Sequence, residues 1–393
     1  MRILYIVDGR SPTARNWIAH FISAGHEVHM ISTSHCTRML GLASLHILPV
    51  AFSDAGVPDV EDRSAQVNRR ALLRKLAPLW VRTFVRQWIG PLTLPRSVGK
   101  LQALIGQIQP DLVHAMRYPF EGILAAIAEP SAPLIVSVWG NDFTLHAQSN
   151  PVIGRYTRRA LARTDALHAD CQRDVRLARK MGFLQDRPTV VLPGSGGVRT
   201  SIFSPPEEPR PDEPPVIINP RGFRTYIRND VFFKAIPLVL DEVPNARFIG
   251  TAMAHEAQAH KWAAEYGIEG AVDLLPLVPQ GQLADLYRQA HVIVSPSIHD
   301  GTPNTLLEAL ACGCFPVAGD IESIREWLTN GKNALLVDPA DPQALANAII
   351  RAIRDKDFRW TAQAVNLHMV AERAEYGAVM AQADAFYREV LGD

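Results

Sequence analysis

The chain has 393 residues, enough for two ordinary domains with large cores. Apolar residues make up 47% and charged residues 20%, and 40 basic residues balance 40 acidic ones. That balance excludes a globally basic nucleic-acid binder and leaves room only for local patches. Four scattered cysteines, Cys36, Cys171, Cys312 and Cys314, have no histidine cluster beside them. They read as buried thiols in a reducing compartment rather than a zinc site, and no metal is expected.

The opening "MRILYIV" reads as a strand, not a secretion leader. No apolar run approaches the ~20 residues of a membrane span, so a cytoplasmic location is expected. Further β-rich runs follow at 27–33, 45–50, 111–116, 134–140, 166–170 and 189–194, with helical patterns at 13–24, 98–108 and 153–163. This alternation predicts a parallel sheet wound with helices on both faces. The stretch "PPEEPRPDEPP" at 205–215 has six prolines and four acids in eleven residues and reads as an exposed linker. Beyond it the alternation restarts, with strands at 216–220, 246–251, 272–277, 291–297, 314–320 and 334–339. Helices fit at 230–241, 254–266, 282–289, 304–312, 322–329 and 342–354. The expected architecture is therefore α/β: two doubly wound, Rossmann-like domains, residues 1–204 and 216–365, joined by 205–215, with ligands in the cleft at the carboxyl ends of the strands.

The stretch "SIHDGTPNTLLEALACGCFPVAG" (297–319) carries the chemistry. A strand ends, a tight turn follows, and a helix begins near Asn304 or Thr305 and stops near Gly313. Free N–H groups and the positive end of the helix dipole make that start a site for phosphate. Asp300 before the turn and Glu308 one turn into the helix are acceptors flanking those donors. A nucleotide sugar, with hydroxyls at both ends and phosphates between, matches that order. On spacing alone the pair reads as well as a turn carboxylate and a helix residue facing solvent; the surrounding residues decide.

Those residues, Pro296-Ser297, Asp300, Gly301-Thr302-Pro303, Leu307-Glu308-Ala309 and Ala311-Cys312-Gly313, resemble the signature of the retaining family 4 glycosyltransferases of the GT-B fold. "GHEV" (25–28), "PDLVHA" (110–115), "GSGGVRTSIF" (194–203) and "NGKNALLVDPADPQALANAI" (330–349) fall in family order. The family usually has glutamate where Asp300 stands and histidine where Trp139 stands in "SVWGNDF" (137–143).

The resemblance implies a metal-independent hexosyltransferase that takes a sugar from a UDP- or GDP-sugar to a saccharide or lipid-linked acceptor, with no other cofactor and no nucleic-acid partner. It implies that Glu308 bonds the ribose hydroxyls and Asp300 a donor-sugar hydroxyl. The N–H groups of Gly301, Thr302, Pro303 and Asn304 (proline supplying only its backbone turn) would surround sugar and diphosphate, and backbone near Leu277 and Val278 the base. Arg221, Arg224 and Arg228, in "NPRGFRTYIRND" (219–230), are the candidates for the phosphates, and their spacing leaves open which two act. On the acceptor side stand Trp139, Asn141 and Asp142, the last a candidate catalytic group; Gly9 would let backbone approach the reacting centre. Residues 366–393 would form a last helix crossing back to the first domain. A catalytically inactive nucleotide-sugar-binding partner protein and a GT-B sugar epimerase are the competing readings; a nicotinamide dehydrogenase fits poorly, since "IVDGRSPTA" has one glycine.

Asp355-Lys356-Asp357 has D-x-D spacing but reads as surface. From Arg63 to Pro110 there are nine basic residues and no acid. Within that run, 69–90 reads as a helix with a Trp/Phe/Leu face opposite a basic face, the pattern of a segment lying on an anionic membrane surface.

Overall fold

The structure is a computed structural model that describes residues 1–51, 88, 90–224 and 226–392. The basic segment 69–90 lies, but for Trp88 and Gly90, outside the described residues. The chain divides into two compact units, one of residues 1–195 with 382–393 and one of residues 196–381.

The first unit holds a seven-stranded parallel sheet in the order β3-β2-β1-β4-β5-β6-β7. Its strands are β1 (Arg2–Val7), β2 (Glu27–Ser32), β3 (Ser44–Ile47), β4 (Leu112–Met116), β5 (Leu134–Val138), β6 (Ala166–Ala169) and β7 (Thr189–Val191). Ile3 to Val7 are fully buried, as strands covered on both faces require. Helices begin where a cap meets a proline. Ser11 Oγ accepts from the Ala14 N–H ahead of the helix Pro12–Ser23, and Asn150 Oδ1 from the Ile153 N–H ahead of Pro151–Arg163.

The second unit holds six parallel strands in the order β10-β9-β8-β11-β12-β13. They are β8 (Val216–Asn219), β9 (Arg247–Gly250), β10 (Val272–Leu274), β11 (Val292–Ser295), β12 (Phe315–Gly319) and β13 (Leu335–Val337). In both sheets the order reverses beside the first strand, between β1 and β4 and between β8 and β11. Loops leaving neighbouring strands diverge there and open a crevice at their carboxyl ends.

Two expectations change. The division falls between Ser195 and Gly196, not at 205–215. The proline-rich stretch packs on the second unit: Arg210 donates to the carbonyls of Arg288 and Gly313 at 2.6 and 2.8 Å and to that of Cys312, and Asp212 pairs with Lys356 at 2.8 Å. The last helix expected over 366–393 is instead parts of two helices, Lys356–Arg373 and Tyr376–Leu391. The break between them pairs with Val198, whose N–H donates to Ala374 O at 2.7 Å and whose carbonyl accepts from Tyr376 N–H at 2.9 Å. Gly197, at φ +91°, allows this approach, because a Cβ there would lie 2.3 Å from the Ala374 oxygen.

The end of the last helix belongs to the first unit and is tied to its core by a polar chain. Tyr5 O–H and Trp17 Nε1–H donate to the Tyr387 oxygen at 3.1 and 3.0 Å, and Tyr387 O–H donates to His114 Nδ1. His114 Nε2–H donates to Ser137 Oγ (2.7 Å), Ser137 O–H to His168 Nδ1 (2.8 Å) and His168 Nε2–H to the Leu192 carbonyl (3.0 Å). The carbonyl can only accept, and with both imidazoles neutral the remaining directions follow from it. Burial agrees, lowering His114 and bringing His168 down to about 4.

Candidate active site

In the second unit Arg221 leaves the end of β8, and Asp300 follows β11. Arg221 Nη2 lies 2.5 Å from Asp300 Oδ2, with both side chains largely buried. Arg221 Nη1 donates to Thr305 Oγ1 at 3.1 Å, and its own N–H donates to Asn219 Oδ1. Asn219 is held in turn by Asn229, which donates to the Gly222 carbonyl. The turn before the helix Asn304–Ala311 is fixed from beneath: Ser323 Oγ donates to the Asp300 carbonyl at 2.7 Å, and Trp327 Nε1 to Thr302 Oγ1 at 2.9 Å. Gly319, ending β12, lies so close that a Cβ would stand 2.5 Å from the Ser297 carbonyl oxygen.

Several groups here are buried and unsatisfied. Arg221 Nε, Ser297 Oγ and Asn304 Oδ1 have no partner among the described residues. Nor do the N–H groups of Asn304 and Thr305, which precede the first intrahelical bond. Unpaired buried polar atoms are costly, and at one strand–turn–helix they mark a place where a ligand's polar atoms fit. Glu308 stands on that helix, half-buried, with no hydrogen-bond partner among the described residues. Burial pushes its carboxyl up to about 8, against the opposing pull of the Arg221 charge.

The other donor-side expectations sort unequally. Arg228 is neutralised by a bidentate pair with Asp230, both bonds 2.8 Å, just ahead of the helix Asn229–Glu242. Arg224 is exposed and donates to Tyr226. Of the three arginines, Arg221 alone reaches Asp300 and Thr305. Leu277, 85% exposed, and Val278 lie in the loop after β10. Asp355 caps the helix Lys356–Arg373 through the Phe358 N–H, and the D-x-D spacing is a helix start.

In the first unit, a pocket of ≈ 300 Å³ opens at the carboxyl ends of β1, β4 and β5. Trp139 lines it together with Asp8, Ser11, Arg117, Glu121 and His146, none of which the sequence singled out. Arg117 sits at φ +109°, a strained backbone for a side-chain-bearing residue. Asp142 explains how it is held. This carboxylate is fully buried, accepts from Arg117 Nε at 3.0 Å, and accepts from the N–H groups of Tyr118 and Trp139, both at 3.1 Å. Asp142 thus secures the pocket's wall through Arg117 and Trp139. Arg117 Nη2 donates to His146 Nε2 at 3.1 Å. Burial raises the Glu121 carboxyl, which accepts from Thr33 at 2.6 Å. Gly9 follows β1, and a Cβ there would meet Cys36 Sγ at 2.4 Å. Asn141 lies outside the pocket lining, its Oδ1 buried without a partner among the described residues. Among the described residues, one trio has metal-ligand geometry, Asp170, Cys171 and Asp174, and it already holds a cation, since Arg173 bonds Asp174 at 3.0 Å.

Two family models tile the chain. The glycosyl transferase 4-like domain matches residues 8–194, and glycosyl transferases group 1 matches residues 201–364. The chain belongs to the group 1 glycosyltransferases. A D-inositol 3-phosphate glycosyltransferase of Thermobispora bispora is 29% identical over 223 residues, 52% of this chain and 51% of that protein. One of Streptosporangium roseum is 32% identical over 128 residues, 33% and 29% of the two chains. The chain spans about half the length, or less, of the curated relatives it matches. Among solved structures, sucrose-phosphate synthase of Thermosynechococcus elongatus aligns over 100% of both chains with a TM-score of 0.75 at 16% identity. Anabaena HepE in complex with UDP-glucose aligns over 98% of this chain and 99% of that one, with a TM-score of 0.71 at 16% identity. At such identities the likeness is one of fold, and that fold is the expected pair of Rossmann-like GT-B domains.

Proposed function

We propose that this group 1 glycosyltransferase moves a hexosyl group from a UDP- or GDP-sugar to a hydroxyl of a saccharide or lipid-linked acceptor, with retention of configuration and without a metal. The observation that carries the reading is the set of unsatisfied polar atoms around Arg221, Ser297 and Asn304, beside the unpaired Glu308. Breaking the bond between anomeric carbon and phosphate leaves charge on the diphosphate. The Arg221 guanidinium and the N–H groups of Asn304 and Thr305 stabilise that charge without reorganising. Glu308 takes the ribose hydroxyls. The relatives' glycosyltransferase names and the UDP-glucose bound to HepE support a nucleotide-sugar donor. The acceptor belongs to the first-unit pocket, where Trp139 offers an apolar wall and Asp8, Glu121, Arg117 and His146 offer polar groups to hydroxyls. No residue stands out in the sequence as a covalent nucleophile, and the reading has the departing phosphate take the acceptor's proton on the front face.

The basic, aromatic sequence of 69–90 supports a position on an anionic membrane face in the cytoplasm. No described helix is long and apolar enough to cross a membrane. A calorimetric screen of UDP-, GDP- and ADP-sugars tests the donor site: one class binds wild type and is lost with Glu308→Ala. Unaltered binding by that variant overturns the assignment.

A further inference from the structure

Asp300 stands where family resemblance expects a glutamate that bonds the donor sugar, yet its carboxylate is spent elsewhere. Oδ2 meets Arg221 Nη2 at 2.5 Å, and Oδ1 accepts from the Gly301 N–H at 3.1 Å. The two charged side chains are 12% and 13% exposed, so the pair lies largely out of water. A guanidinium is a rigid planar fork, and fixing one edge aims the others. With one N–H of Nη2 on Asp300 and one of Nη1 on Thr305, three N–H donors remain, among them an Nε–H that is buried and without a partner among the described residues. These are the donors left for an anion. An aspartate, one methylene shorter than glutamate, ties Arg221 at this spot while its own backbone is pinned by Ser323.

We infer that Asp300 is a positioning residue that aims Arg221 at the donor diphosphate, and not a ligand of the transferred sugar. The inference rests on the donor-site reading above and adds a separable consequence. A sugar ligand discriminates between a nucleoside diphosphate and its sugar ester, because only the ester carries the group it touches. A residue that aims Arg221 affects both alike, and does so only while Arg221 is present.

The test is calorimetric titration of UDP, UDP-glucose, GDP and GDP-mannose into wild type, Asp300→Asn, Arg221→Ala and the double variant. Thermal melts accompany each protein, and the isosteric Asn keeps the turn's shape. The expected result is a loss on the order of tenfold for nucleoside diphosphate and sugar ester alike in Asp300→Asn. In the Arg221→Ala background the same change has no further effect. The inference is overturned if Asp300→Asn leaves diphosphate binding intact and weakens only the sugar ester, which makes Asp300 a sugar ligand. It is also overturned if diphosphate binding tightens, which makes Asp300 a competitor for Arg221, or if the two losses simply add. Failure of wild type to bind any of the four compounds overturns the donor-site reading, and this inference with it.

Discussion

Glu308 gives the sharpest test of the second unit's electrostatics, and the perturbation is Glu308→Gln. The carboxyl is half-buried, unpaired among the described residues, and raised by burial from 4.5 to about 8. Between those values an unfolded chain has released a proton that the folded chain keeps. Wild-type stability therefore falls as pH rises through this window, by about 1.4 kcal/mol per pH unit at most, or about 4–5 kcal/mol in all. Water reaching the partly exposed group screens roughly half of that and leaves ~2 kcal/mol. Glutamine keeps the shape and carries no proton to lose. Below pH 4.5 the two proteins should match within ~0.5 kcal/mol; above pH 8 the variant should be more stable by ~2 kcal/mol, or about 4–8 °C in melting temperature. Thermal melts of both proteins from pH 4.5 to 8.5 measure this. Melting curves that shift in parallel across the series refute the reasoning. Above pH 8, where the wild-type carboxyl is charged and the variant is the more stable protein, Glu308→Gln should bind its donor about 10- to 100-fold more weakly, the worth of ~1.5–3 kcal/mol in hydrogen bonds to a charged group.

Tyr387→Phe removes the oxygen that accepts from Tyr5 and Trp17 and the proton given to His114; leaving these buried groups unpaired should cost the first unit about 1–3 kcal/mol, read as a lower melting temperature. Gly319→Ala sets a Cβ against the Ser297 carbonyl and should displace the turn, costing about 1–3 kcal/mol and at least roughly tenfold in nucleotide affinity by calorimetry. Asp142→Ala frees Arg117 and two backbone N–H groups, so steady-state kinetics should show the acceptor KM raised and the donor KM unmoved. Replacing Arg74, Lys75, Arg82 and Arg86 by Glu should abolish co-sedimentation with anionic liposomes, each residue contributing ~1 kcal/mol; equal binding to neutral and anionic vesicles ends the electrostatic proposal.

All thirteen strands among the described residues were legible in the sequence, because a parallel sheet covered on both faces demands short continuous apolar runs such as "RILYIV" and "VIVS". Helix ends were less so. A periodic pattern does not show that the Ala374–Glu375 break exists, since Val198, far away in the chain, makes it. On the site, the turn from Asp300 to Glu308 could be read because it is contiguous. The neutralisation of Arg228 by Asp230 was open to view two residues away, yet only geometry shows that fork closed. Arg117, His146 and Glu121 carried no local signal. They meet because neighbouring strands end together, and the strain at Arg117 has no sequence signature in a residue type that normally avoids positive φ. For Asp142 the sequence shows only a carboxylate after a strand; the three inward hydrogen bonds that tie it to the frame come from geometry alone.

The most direct test of the account is a transfer reaction with a sugar-labelled donor, offered with saccharide and lipid-linked acceptors in the presence of a chelator and followed by NMR. The account predicts label joined to an acceptor hydroxyl with the donor's anomeric configuration kept, and no loss of rate on chelation. Inverted product, strict dependence on a metal, or donor that is bound and never transferred would contradict it.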